Sequence, residues 1–403
     1  MKTRENVTPY NGKRQRGAVV ITFSIIFLLL ITLVTLFTTR SILFEQKVIN
    51  NQMRSKLAFE AAEFGVSAAY QYISDDPDRD GDGIIDAIFE LNSDNVGTVN
   101  TSAVGQQRVE VSIRDIDSDP DVILAFEIVA QGFSDDSTAT RTITKFVTVI
   151  DALPNVPNNP LTAHGTVDVN GSATVHNLEG SSTIWSGGDV DVGSNNSTAT
   201  YIANPADPAY PSCMDTPMTC SETQTSNKTT IGLDIIEHDS NLANLTAEQM
   251  FENFFGMSPK AYRAAMVDID LSAANGDDFN SAANLAQHKI VWYEGDVDIG
   301  KVTVGCKVSV TGNNRCSSAN EAPSIVIING NASLKGSPHF YGIVYVMGDA
   351  SLSGNSTIHG AVIIGGIAKS TTGSLDIWYN SGLLEGTREN GPLASSAGSW
   401  RDF

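Results

Sequence analysis

Apolar and polar residues follow three different patterns along the chain, and each pattern predicts a different element. From Ala18 to Phe37 the residues AVVITFSIIFLLLITLVTLF are apolar or hydroxyl-bearing on every side, with no charge, glycine or proline. About 20 helical residues span roughly 30 Å, the thickness of a bilayer's hydrocarbon core, so this stretch predicts a membrane-spanning helix. Over 41–72 the pattern changes. Ile42, Leu43, Val48, Ile49, Met53, Leu57, Phe64 and Ala68 recur at helical spacings, with Gln46, Asn50, Arg54 and Lys56 between them. That is an amphipathic helix, so one continuous helix is expected over 18–72, apolar all round at first and then offering one face to a soluble domain.

Alternation with a period of two follows. Residues 108–113, 123–132 and 141–150 read as strands separated by Asp-rich turns at 115–121 and 134–137. Such strands predict an antiparallel meander packed on the helix. Pro154, Pro157 and Pro160 then break the chain and mark a boundary. Beyond it, residues 325–336, 343–354 and 361–372 align at an 18-residue period, each with an apolar strand, a glycine-containing turn and a strand of small residues. Related fragments occur at 166–171, 188–193 and 295–300. Units of this length bury a face only by stacking, which predicts a β-solenoid. Thr246-x-x-Gln249 reads as a capping box and Ser258-Pro259 as a second helix start, so a helical insertion is expected at about 230–285. The fold class is α+β, with segments 1–17, 18–72, 73–152, a linker at 153–160, and a head at 161–403.

Charge refines this picture. The chain of 403 residues has a net charge of −21, yet its first 17 residues hold Lys2, Arg4, Lys13, Arg14 and Arg16 against Glu5 alone. A basic stretch before an apolar helix keeps the N-terminus in the cytoplasm, so everything after Arg40 lies outside the inner membrane. A secretory signal peptide has a shorter apolar region and a small-x-small cleavage site; Thr38-Thr39-Arg40 follows here, so the helix is expected to be retained. An acidic surface repels phosphate, which excludes nucleic acid as a partner for the bulk of the chain. Export agrees with the cysteines. Cys213 with Cys220 and Cys306 with Cys316 are expected as sequential disulfides, since neither pair has zinc-ligand spacing.

Asp78-Arg-Asp-Gly-Asp-Gly-Ile-Ile-Asp86 carries the sharpest chemistry. Asp78, Asp80, Asp82 and Asp86 fall at positions 1, 3, 5 and 9 of an EF-hand-like loop, with Gly83 at the turn and the Ile84 carbonyl at position 7. Carboxylates crowded this closely repel one another unless a hard divalent cation sits among them, so Ca²⁺ is the expected ligand. Position 12 is Phe89, with Glu90 one place later, a departure that suits extracellular Ca²⁺ concentrations.

Arg16-Gly17 followed directly by the uncharged helix resembles a type IV prepilin leader, cut after Gly17 so that Ala18 becomes the mature N-terminus. Leu57-Ala-Phe-Glu-Ala-Ala-Glu63 resembles the helix that follows the membrane segment in PilX-type minor pilins, and Gly398-Ser-Trp-Arg-Asp-Phe403 is similar to that family's closing motif. The resemblance implies a minor pilin of the type IV pilus, partnered by other minor and major pilins, the inner membrane and the prepilin peptidase, and exported into a fibre. The head then meets a host or abiotic surface. Major pilins resemble one another in a Glu at the fifth mature position, which is Thr22 here. A buried carboxylate needs the amine of a neighbouring protomer, so its loss suits a tip or priming subunit. The alternatives are a minor pseudopilin of type II secretion and a membrane-anchored carbohydrate-binding or carbohydrate-active β-helix.

Nothing in the sequence reads as catalytic. G-x-S-x-G, H-E-x-x-H and P-loop motifs are absent. Asp296 with Asp298, and Asp189 with Asp191, sit two apart on strands, but their recurrence as G-D-V-D assigns them to turns. His164, His176, His288, His339 and His359 are scattered without metal spacing, as surface or core residues are.

Overall fold

The computed structural model describes residues 16–75, 96–102, 108–116, 125–193, 196–211, 220–312, 314–370, 373–395 and 401–402. The helix α1 runs Arg16–Asp75, somewhat longer at both ends than its apolar pattern predicts. Four strands follow: β1 (Val96–Ser102), β2 (Arg108–Asp115), β3 (Ala125–Phe133) and β4 (Thr140–Val149), paired antiparallel in that order. In β3 alternate residues Phe126, Ile128 and Ala130 are buried, and they meet Ala62, Val66 and Ala69 of α1. Small residues set how closely helix and sheet approach. A Cβ on Gly132 would overlap the backbone of Ala58 and Ala62, and one on Gly65 would lie 2.6 Å from Val109 Cγ2.

The end of the chain returns to this sheet. Leu393–Ser395 and Arg401–Asp402 pair antiparallel with β4, so residues expected within the head extend the meander instead. Strands of two and three residues carry too little alternation to be read from sequence. Arg388, just before this return, donates from Nε and Nη2 to Asp151 Oδ2 at 2.9 and 2.7 Å, pinning the exit of the head to its entrance.

The head is a three-walled stack of parallel strands. One wall holds Ile290–Glu294, Ser324–Asn329, the second halves of His339–Val346 and Thr357–Ile364, then Leu161–Ala163 and Ile184–Ser186. The next holds Val297–Ile299, Ala332–Leu334, Ala350–Leu352, Ala368–Ser370, Val167–Val169 and Val190–Asp191. The third takes Thr303–Val304, the first halves of the two long strands, Asp376–Trp378, Thr174–Asn177 and Ala199–Ala203. The long strands pass from third wall to first by bending at Gly342 and Gly360, whose φ of +119° and +126° are costly for any residue with a Cβ. Register partners such as His339 and Thr357, or Ala332 and Ala350, are 18 residues apart, as the repeats predict.

Order along the stack differs from order along the chain. The chain enters in the middle, builds two turns outward, leaves through the helical insertion, and re-enters at the far end. It then builds back until Val362 pairs with Leu161 and Ala368 with Val167. The insertion contains α2 (Ser240–Ala243), α3 (Ala247–Phe255), whose capping box at Thr246 and Gln249 is formed, and α4 (Pro259–Met266). Phe251, Phe255 and Tyr262 cover the outer side of the first wall, packing on Trp292 and Tyr345. This cover explains the uninterrupted apolar runs of that wall, which is buried on both sides. The second wall, wet outside, alternates as Val-Asp-Val and Ala-Ser-Leu.

Candidate assembly helix

Among the described residues, the first half of α1 packs against no other element. Every residue over 19–50 is exposed, including Phe23 at 71% and Phe37 at 76%. Among the described residues this is the one helix long and apolar enough to cross a membrane. Its polar side chains turn inward on their own backbone. Thr32 Oγ1 donates to the Leu29 carbonyl at 2.8 Å, Thr35 to Ile31 at 2.9 Å, Thr38 to Val34 at 2.8 Å and Thr39 to Thr35 at 2.7 Å. Hydroxyls satisfied within the helix ask nothing of the lipid or of a packed neighbour. Gly17 and Ala18 lie in the first turn.

The second half is fastened to the meander. Arg54 reaches Asp136 at 2.9 Å and Ser55 Oγ accepts from Arg141 Nε at 3.0 Å. Hydroxyls of Thr138 and Ser134 hold the Asp136 carboxyl down to about 2, so it stays charged toward Arg54. Beside this contact Val48, Asn51, Gln52, Lys56 and Phe59 line an open groove along the helix. The arrangement is an apolar rod projecting from a folded body, which is what insertion into lipid or into a bundle of like helices requires.

The other residues singled out from sequence have different fates. Asp78, Asp80, Asp82, Ile84 and Asp86 lie outside the described residues, as does Cys213. Cys306 and Cys316 form a disulfide with Cα atoms 6.1 Å apart, and Cys220 is also disulfide-bonded. Among the described residues no group of three or more His, Cys, Asp or Glu is arranged to hold a metal. The turn aspartates serve the stack: Asp296 Oδ1 accepts from Asn331 N, Asn331 Oδ1 from Asp349 N, and Asp349 Oδ1 from Ile367 N, each at 2.8 Å. Asp298 pairs with Lys335 and Asp189 with His238. His164 Nε2 lies 2.8 Å from the Leu245 carbonyl, while His176, His339 and His359 are buried on the outer side of the third wall. The neighbours of His176, namely Trp378, Arg315 and Glu222, have no spacing in sequence that would group them.

A family model described as PilX N-terminal matches residues 16–67. No curated protein matches the chain. Among solved structures, the competence-associated pilin ComZ from Thermus thermophilus is similar at 13% identity over 87% of this chain and 97% of that one. Its TM-score of 0.28 is too low to place one protein's residues on the other's.

Proposed function

We propose that this chain, whose residues 16–67 match the PilX N-terminal family model, is a type IV minor pilin acting in pilus assembly at or near the fibre tip. The exposed apolar half of α1, joined without a break to a half packed on the meander, carries this reading. Lipid covers the rod first, in an inner-membrane protein with its N-terminus in the cytoplasm. Prepilin peptidase cuts after Gly17, the new Ala18 amine is methylated, and the rod passes from lipid into the helices of major and minor pilins. One apolar surface serves both environments, so the transfer costs little hydrophobic free energy.

Thr22 supports the tip position, where no neighbour ahead would supply an amine to a buried carboxylate. The role is structural, not enzymatic. The head stays on the outside of the fibre and adheres to a host or abiotic surface, and the loop at Asp78–Asp86 holds Ca²⁺ through Asp78, Asp80, Asp82, Asp86 and the Ile84 carbonyl. Gly17→Arg tests the assembly role: it should leave a full-length, membrane-trapped protein and abolish piliation. Normal fibres containing a shortened Gly17→Arg protein would defeat the reading.

A further inference from the structure

The outer side of the third wall carries a cluster that assembly does not use. Tyr341, His359, Trp378, His176 and Tyr201 stand at one register position on five successive strands. Trp378 stacks on His176 with ring centroids 3.8 Å apart, and His176 on Tyr201 at 4.7 Å. The guanidinium of Arg315 lies 4.0 Å from the centre of the Trp378 ring. It is held there by its neighbour Cys316, whose disulfide to Cys306 closes the loop. Two carboxylates flank His176: Glu222 Oε2 is 3.2 Å from Nδ1 and Asp376 Oδ1 is 3.5 Å from Nε2.

The rim of this cluster is open and its floor is unsatisfied. Arg315 is exposed, the Glu222 and Asp376 side chains are about a third exposed at 33% and 36%, and Tyr201 and Trp378 are half-buried. Below them His359 Nε2 and Trp378 Nε1 are buried without a hydrogen-bond partner. Native proteins rarely leave such groups unmade, and each costs stability until something polar reaches it. Elsewhere in the stack the buried Asp234 carboxylate does meet such partners, in Thr183, Thr200 and Ser226.

We propose that this patch, between Arg315 and Tyr201, binds a neutral saccharide. The chemistry of the groups selects the ligand. Burial keeps His176 uncharged down to about pH 4, so its ring can donate to only one of the two carboxylates that flank it, which leaves acceptor capacity on both. Glu222 and Asp376 accept, while Arg315 and the indole donate. Sugar hydroxyls donate and accept at once, and the apolar face of a pyranose suits the half-buried ring of Tyr201 at the end of the stack, Trp378 being covered by His176 on one face and Arg315 on the other. Two carboxylates against one guanidinium, on a chain of net charge −21, disfavour an anionic ligand. This deepens the adhesive role given to the head and rests on that reading.

The test uses the full chain in micelles of a detergent without a sugar headgroup. Maltotriose, cellotriose, triacetylchitotriose and, as the charged control, trigalacturonate are titrated by calorimetry. At least one neutral trisaccharide should bind and trigalacturonate should not. Glu222→Gln combined with Asp376→Asn should weaken binding at least tenfold with an unchanged circular dichroism spectrum, while Asp298→Asn on the second wall should leave it unaltered. Failure of all three neutral sugars to bind, equal binding of trigalacturonate, or wild-type affinity in the double variant would overturn the proposal. Binding in micelles is independent of leader cleavage and fibre incorporation, so its failure leaves the pilin reading standing, and the converse holds.

Discussion

His176 and His359 sit where a charge is least welcome, and burial pushes both imidazoles down to about 4. The unfolded chain, with ordinary imidazoles near 6.5, is then the better proton binder between those values. Stability is therefore complete above about pH 6.5 and falls as the pH drops toward 4. Linkage puts the loss at about 1 kcal/mol per imidazole between pH 7 and pH 5.5. Burial raises Glu222, which acts in the opposite sense nearer its own range, so that window is the cleaner one. Melting of the wild type at the two pH values should show the drop, and a His176→Gln, His359→Gln protein should show much less of it. Parallel losses in both proteins would refute this assignment. Nothing in the sequence marked these two histidines, because their burial comes from strands far apart in the chain. Trp378 pairs with His176 across the seam of the stack, and the loop bearing Arg315 covers the indole.

Elements were legible in proportion to how local their cause is. The helix, the capping box at Thr246 and the three strands β2, β3 and β4 follow from periodicity and caps within a few residues, and they stand where those signals put them. The repeats at 325, 343 and 361 revealed two walls, since an apolar run and a small-residue strand recur in each. The third wall escaped notice because its strands continue straight into the first, bending only at Gly342 and Gly360. The order of the stack was also invisible. Parallel pairing between Leu161 and Val362 leaves no trace in either segment.

The acidic loop at 78–86 is the reverse case, legible in the sequence but outside the described residues. Its proposed Ca²⁺ is tested by calorimetry on the wild type and on Asp80→Ala, Asp82→Ala. The wild type should bind the ion and the double variant should not, with residues 74–90 becoming protease-sensitive. Equal Ca²⁺ binding by both would dispose of the site.

At the scale of the whole molecule, three parts divide the work. An apolar rod stands exposed and long enough to cross a membrane, a meander grips its lower half, and a solenoid presents a wet wall and a polar aromatic patch. Arg388 and Asp151 form a half-buried ion pair where the chain enters and leaves the solenoid, beside the backbone bond from Ala152 N to the Arg388 carbonyl. A minor pilin at the fibre tip must be cut after Gly17 and enter each fibre in few copies. Mass spectrometry of sheared, washed fibres tests both requirements at once. The expected N-terminal peptide begins at methylated Ala18, with the protein at a small fraction of the major subunit. A peptide still beginning at Met1, or absence of the protein from the fibres, would contradict the account.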